Sequence, residues 1–171
     1  IMPLVKKIKN SLKKYKYEVI FINDGSYDDT ERILKKMISE NKQFSCVNFK
    51  RNYGQTAALQ AGFDYSSGKI VVAMDGDLQN DPEDISLLIK KMKEGYDVVS
   101  GWRKNRKDNS LLRVIPSKIA NYLISKISGV SLHDYGCTLK AYKKEIIKDI
   151  KLYGEMHRFI PIYASWEGAK V

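Results

Sequence analysis

Two aspartates one residue apart, Asp75 and Asp77, follow the apolar run Ile70–Met74, and Gln79 comes two residues later. Side-chain oxygens at that alternate spacing face one way if the chain stays extended. Such a set suits a hard divalent cation, Mg2+ or Mn2+, which takes one or two carboxylates and completes its shell with phosphate oxygens and water. Gly76 between them lets a ligand approach the backbone closely. A plain polar turn with helix-capping aspartates uses the same residue types. Position directly after a buried apolar run favours the metal.

Other groups have a similar placement. Asp24 lies in Asn23-Asp24-Gly25-Ser26, just past the run Glu18–Ile22. Its carboxylate could accept hydrogen bonds from a nucleobase or ribose, or simply organise the turn with Ser26. Gly54 and Gln55 follow another apolar run and open a helix. A basic loop carries Arg103, Lys104, Arg106 and Lys107, with Arg113 shortly after. Arginine forks bind phosphate bidentately. Most of that cluster reads as solvated charge, and the arginines nearest the strand end as phosphate ligands. The two histidines sit in His133-Asp134 and His157-Arg158, too far apart for a zinc site. Cys46 and Cys137 lack CxxC spacing and read as small core residues.

The elements that must position these groups alternate. Helices are expected over 4–14, 30–41, 56–65, 83–94, 111–128 and 143–150. Strands are expected over 18–22, 45–49, 69–74 and 97–101, with a further loop-to-strand passage over 133–142. That order predicts an α/β fold with a mostly parallel sheet and helices on both faces. Ligands in such sheets sit beyond the carboxyl ends of the strands, so Asp24, residues 52–55 and residues 75–79 should meet on one rim. The chain has 171 residues, 43% of them hydrophobic, and a formal net charge of +10, which fits one globular domain with an anionic partner. No apolar run approaches membrane-spanning length. The basic residues spread over many helices, without the aromatic interleaving of a nucleic-acid surface, so no nucleic-acid partner is expected. Phosphate loops of the GxxxxGK[ST] or GxGxxG kind are absent from the sequence, which weakens the alternative of a nucleotidyltransferase or other nucleotide-binding α/β enzyme.

The stretches FINDGSYDDT, FKRNYGQTAALQAGFDYSSGKIVVAMDGDLQNDPEDI, VSGWRKNR, HDYGCTLKAY and YGEMHRFIPIYASWEGAKV together resemble the family-two glycosyltransferases of GT-A fold. Among these they are most similar to the polyprenyl-phosphate glycosyltransferases. The resemblance implies a Rossmann-like sheet, a nucleotide-sugar donor, an undecaprenyl or dolichyl phosphate acceptor and Mg2+ or Mn2+. Its closeness to bacterial undecaprenyl-phosphate enzymes points to a UDP-sugar, the sugar itself staying open. It assigns Asp24 to the base, with Gly54 and Gln55 on the donor side. Asp75 takes the ribose–diphosphate region, and Asp77 and Gln79 the metal, shared with Asp75. Arg103 and Arg113 go to the acceptor phosphate, Asp134 and Tyr135 to the acceptor-side motif, and His157 and Arg158 to a segment closing over the donor. It further implies work at the cytoplasmic face of a membrane, peripherally or through segments absent from this chain. Relative to the family the chain reads as a single catalytic domain, 1–171, shortened at both ends. A first strand is then missing beside the strand ending at Met74, a gap that rearrangement or a homo-oligomer could close.

Overall fold

The computed structural model describes residues 1–103 and 111–171, with backbone alone over 111–119. Helix α1 (Met2–Ser11) carries a proline in its first turn and turns Leu4, Val5 and Ile8 inward at helical spacing. It leads through β1 (Val19–Asn23) and α2 (Thr30–Ser39) to β2 (Phe44–Asn48). β1 and β2 pair in parallel, from Val19 opposite Phe44 to Asn23 opposite Asn48. Next come α3 (Gln55–Tyr65), β3 (Ile70–Ala73), a 3-10 turn at Pro82–Asp84, α4 (Ile85–Lys93) and β4 (Val98–Ser100). The second half holds α5 (Leu111–Ser128), β5 (Lys140–Lys143), α6 (Lys144–Ile147), a 3-10 turn at Met156–Arg158 and α7 (Ile160–Trp166).

β5 lies antiparallel between β3 and β4, with Tyr142 opposite both Val71 and Val98, and Ala141 opposite both Val72 and Val99. β3 and β4 therefore run in the same direction. Successive strand residues point to opposite faces. Val98 and Tyr142, with Val71 against them, pack on Phe63 of α3 and on Ile160 and Ala164 of α7. Ala141, with Val72 and Val99, faces Leu4 and Ile8 of α1 and Ile85, Leu88 and Met92 of α4. Helices thus cover both faces, and the GT-A-type α/β class read from the sequence holds. α7 was not anticipated, and the helix expected over 83–94 is divided by the 3-10 turn, where the Asp81 carboxylate accepts the Glu83 N–H at 3.2 Å.

The strands form two sheets, β1–β2 and β3–β5–β4. Among the described residues no ladder joins β1 to β3, so the gap expected beside the strand ending at Met74 stays open in the backbone pairing. α3 bridges it, packing on β1 and on β3.

Candidate active site

The rim takes shape where β1, β3 and β4 end. Past β1, Asp24 accepts the backbone N–H of Tyr53 at 2.7 Å and of Gly54 at 2.9 Å, one on each carboxylate oxygen. The next residue makes the close approach feasible. Gly25 has φ +70°, and a Cβ there would stand 2.3 Å from the carbonyl carbon of Arg51. Asp24 thus fastens the loop after β1 to the start of α3, while the turn itself is held by Asn23, whose Oδ1 accepts the Ser26 N–H at 3.1 Å.

Past β3, Asp75 is half-buried and tied on both oxygens. The Thr138 hydroxyl donates to Oδ2 at 2.7 Å and the Gln55 amide donates to Oδ1 at 3.3 Å. Thr138 in turn accepts from the buried Asn80 amide at 3.1 Å, which leaves its proton directed at Asp75. Beyond Asp75 the chain departs from the expected extended course. Leu78 has φ 67°, in the left-handed region, and Asp77 accepts the Gln79 N–H at 3.0 Å. Alternation therefore does not aim Asp75, Asp77 and Gln79 in one direction. They sit around a turn, with Asp77 and Gln79 exposed. Among the described residues no three histidine, cysteine or carboxylate groups cluster as a metal site. The donor chemistry of this turn, two carboxylates and an amide, still fits Mg2+ or Mn2+, which completes its shell with diphosphate oxygens.

Past β4, Trp102 and Arg103 pair residue for residue with His133 and Asp134. The Trp102 ring stacks on His133, centroids 4.6 Å apart. Arg103 donates from Nε to Asp134 Oδ2 at 2.8 Å and from Nη2 to Oδ1 at 3.0 Å. Asp134 is 6% exposed and also accepts the Gly136 N–H at 3.1 Å. The carboxylate raises the Arg103 pKa above its ordinary value. The arginine expected at an acceptor phosphate thus has one edge of its fork held by protein. Lys104, Arg106 and Lys107 lie outside the described residues. Arg113 lies on α5, and its side chain is likewise outside them.

His157 stands behind α3. Its Nδ1 is 2.7 Å from the buried Thr56 hydroxyl, and Arg158 Nε donates to its Nε2 at 3.4 Å. The neutral Nδ1–H tautomer satisfies both contacts. Burial holds the ring's pKa below its usual value. Tyr135 sits deep, its hydroxyl donating to the Val130 carbonyl.

Side chains and short backbone links thus run from Asp24 through Gly54, Gln55, Asp75, Thr138 and Asp134 to Arg103. Thr56, Asn80, Thr138 and Lys140 belong to this site and were not singled out from the sequence. Lys140 alone left a signal there, a charge between the apolar Leu139 and Ala141 at the head of β5. A cavity of 430 Å3 between α6 and α7, lined by Ile146, Met156, Tyr163 and Trp166 among others, shares no residue with this path.

A sequence model described as glycosyl transferase family 2 matches residues 1–151. Dodecaprenyl-phosphate galacturonate synthase of Rhizobium johnstonii is 48% identical over 167 residues, 95% of this chain and 49% of that protein. Undecaprenyl-phosphate 4-deoxy-4-formamido-L-arabinose transferase of Pseudomonas syringae pv. syringae is 41% identical over 152 residues, 88% of this chain and 45% of that protein. The chain thus spans about half the length of the curated relatives it matches. Among solved structures, glucosyl-3-phosphoglycerate synthase from Mycobacterium tuberculosis, in complex with Mn2+ and uridine-diphosphate-glucose, superposes with a TM-score of 0.59 at 16% identity. That match covers 86% of this chain and 63% of the other. S. aureus TarS 1-349 gives 0.59 at 18% identity, covering 95% and 51%. These two likenesses carry the fold, and the family match carries the membership: the chain belongs to glycosyl transferase family 2.

Proposed function

We propose that this chain carries the donor and acceptor ends of a metal-dependent, inverting glycosyltransferase that moves a sugar from a nucleotide sugar to a polyprenyl phosphate. A UDP-sugar is the proposed donor, and the cytoplasmic face of a membrane the proposed place of work. The observation that carries the reading is the path of hydrogen bonds and short backbone links from Asp24 to Arg103. It places an acidic turn suited to a metal–diphosphate beside an arginine suited to a phosphate. The names of the relatives, dodecaprenyl-phosphate and undecaprenyl-phosphate enzymes, support the acceptor class.

Asp24, with Gly54 and Gln55, borders the place for the base, and Asp75 that for the ribose–diphosphate. Asp77, with Asp75 and Gln79, would hold Mg2+ or Mn2+, which neutralises the diphosphate leaving group when bound. Arg103, held against Asp134, and Arg113 orient the acceptor phosphate. An acceptor phosphate is already ionised near neutral pH, so its oxygen attacks without a strong general base, and orientation supplies much of the rate. Attack comes from the face opposite the leaving group. The new bond joins that oxygen to the anomeric carbon as the carbon's bond to the diphosphate breaks, which inverts the centre. His157 and Arg158 close the donor side. Among the described residues no helix is long and apolar enough to cross a membrane, and the net charge of +10 suits an anionic lipid surface.

The test is a panel of UDP and GDP with and without Mn2+, read by thermal shift, followed by transfer to a short polyprenyl phosphate by the whole protein. Mn2+-dependent stabilisation by UDP and formation of the glycosyl lipid are expected. Stabilisation by nucleotide that is indifferent to metal, with no lipid product, would overturn the reading.

A further inference from the structure

Lys140 places an ammonium in the central strand of a sheet covered by helices on both faces, where a hydrophobic side chain ordinarily stands. It lies in β5 between Leu139 and Ala141 and is 3% exposed. Its Nζ donates to the carbonyl oxygen of Tyr135 at 3.1 Å and to that of Cys137. Those two carbonyls bracket Gly136, at the centre of the loop between Asp134 and Thr138. One end of that loop holds Arg103 and the other holds Asp75. Taking an ammonium out of water is costly, and a buried charge is weak grounds for stability, since apolar replacements of similar size often stabilise. Burial lowers its pKa to about 8, which leaves it charged at neutral pH. The placement of the charge therefore calls for a reason other than folding energy.

We propose that Lys140 is a positioning residue: by gathering the Tyr135 and Cys137 carbonyls onto one ammonium, it sets the 134–138 loop so that Asp134 meets Arg103 and Thr138 meets Asp75 at the same time. The lysine itself touches neither substrate. It acts through the loop, and it couples the two ends of the rim. The inference rests on the proposed function only for what those ends bind; the coupling is a property of the chain's own contacts.

The test uses the stacked indole as a reporter. The chain has two tryptophans, so Trp166→Phe leaves Trp102, which neighbours Arg103, as the sole emitter. In that background Lys140→Met should keep or raise the melting temperature while changing the emission maximum and acrylamide quenching of Trp102. It should also weaken Mn2+–UDP binding by about 10–100-fold, the usual cost of losing a residue that orients a ligand-holding group. Lys140→Arg, which keeps the charge and donors, should restore part of both signals. If Lys140→Met does not fold, Lys140→Gln should show the same optical change at smaller amplitude. A folded Lys140→Met or Lys140→Gln chain with unaltered Trp102 emission and quenching overturns the proposal. So does an optical change that only tracks a fall in melting temperature. Failure of the parent chain to bind Mn2+–UDP would count against the proposed function and leave the optical test standing.

Discussion

The Thr56 hydroxyl and Nδ1 of His157 lie 2.7 Å apart in the protein interior, although they are 101 positions apart in sequence. This bond fastens the 3-10 turn Met156–Arg158 to the first turn of α3. Burial keeps the His157 pKa below its ordinary 6.5, so folding favours the neutral ring. The associated stability is fully present above about pH 6.5, the unfolded value, and is lost as pH falls through the lower folded value. Urea midpoints should therefore decline between about pH 7 and 5 in part through this group. His157→Gln should cost about 1 kcal/mol near pH 7 and flatten that decline. Parallel pH profiles for the two chains would contradict the assignment.

Asp77→Asn separates the metal from the turn. The asparagine carbonyl can still accept the Gln79 N–H, so the unliganded stability should change by no more than about 0.5 kcal/mol. The added protection that Mn2+ confers with UDP should disappear. Retention of that protection in a thermal-shift titration would move the metal elsewhere.

Arg103 has two roles to disentangle. Arg103→Ala removes the two-pronged contact to Asp134, and losing hydrogen bonds to a charged group costs about 1.5–3 kcal/mol. Arg103→Lys keeps a charge but cannot reproduce the bidentate geometry. It should fold, bind UDP as the parent does, and use a short polyprenyl phosphate with a markedly higher KM in the whole protein. Equal losses toward donor and acceptor would show that the arginine serves the diphosphate.

The two-sheet arrangement makes its own prediction. Unpaired strand edges are templates for another strand. Amides of β1 and β3 that point into the gap should exchange with solvent far faster than those of β5, which is paired on both sides. The apparent mass should rise with concentration if a second copy fills the edges. Uniformly slow exchange in a monomer would show that the gap is closed by another contact.

Much of the fold was legible because each of the first four strands is a short apolar run punctuated by polar turn residues. Such runs, spaced by amphipathic helices, define βα units locally. The place of β5 was not legible: nothing within Lys140–Lys143 says that its neighbours are β3 and β4, where Tyr142 meets Val71 and Val98 from 71 and 44 positions away. The site divides the same way. Asp24, Asp75 and Arg103 announce themselves by charge after a strand end, and Asp134 by charge in a loop entering a strand. Thr56, Asn80 and Thr138 are common polar residues whose weight comes entirely from distant partners. The alternation drawn for Asp75, Asp77 and Gln79 gives way to a turn over 76–80, with Leu78 left-handed, which a leucine gives no reason to expect.

α3 packs on both sheets, as α1 also does, and the first turn of α3 carries the contacts to Asp24, Asp75 and His157. Any slippage of one sheet against the other must therefore tilt this helix and loosen those contacts together. A ligand that grips Asp24's loop and Asp75's turn at once acts as a cross-brace over the seam. By reciprocity, whatever stiffens the seam sharpens the grip on that ligand, so cohesion of the sheets and occupancy of the rim rise and fall as one equilibrium.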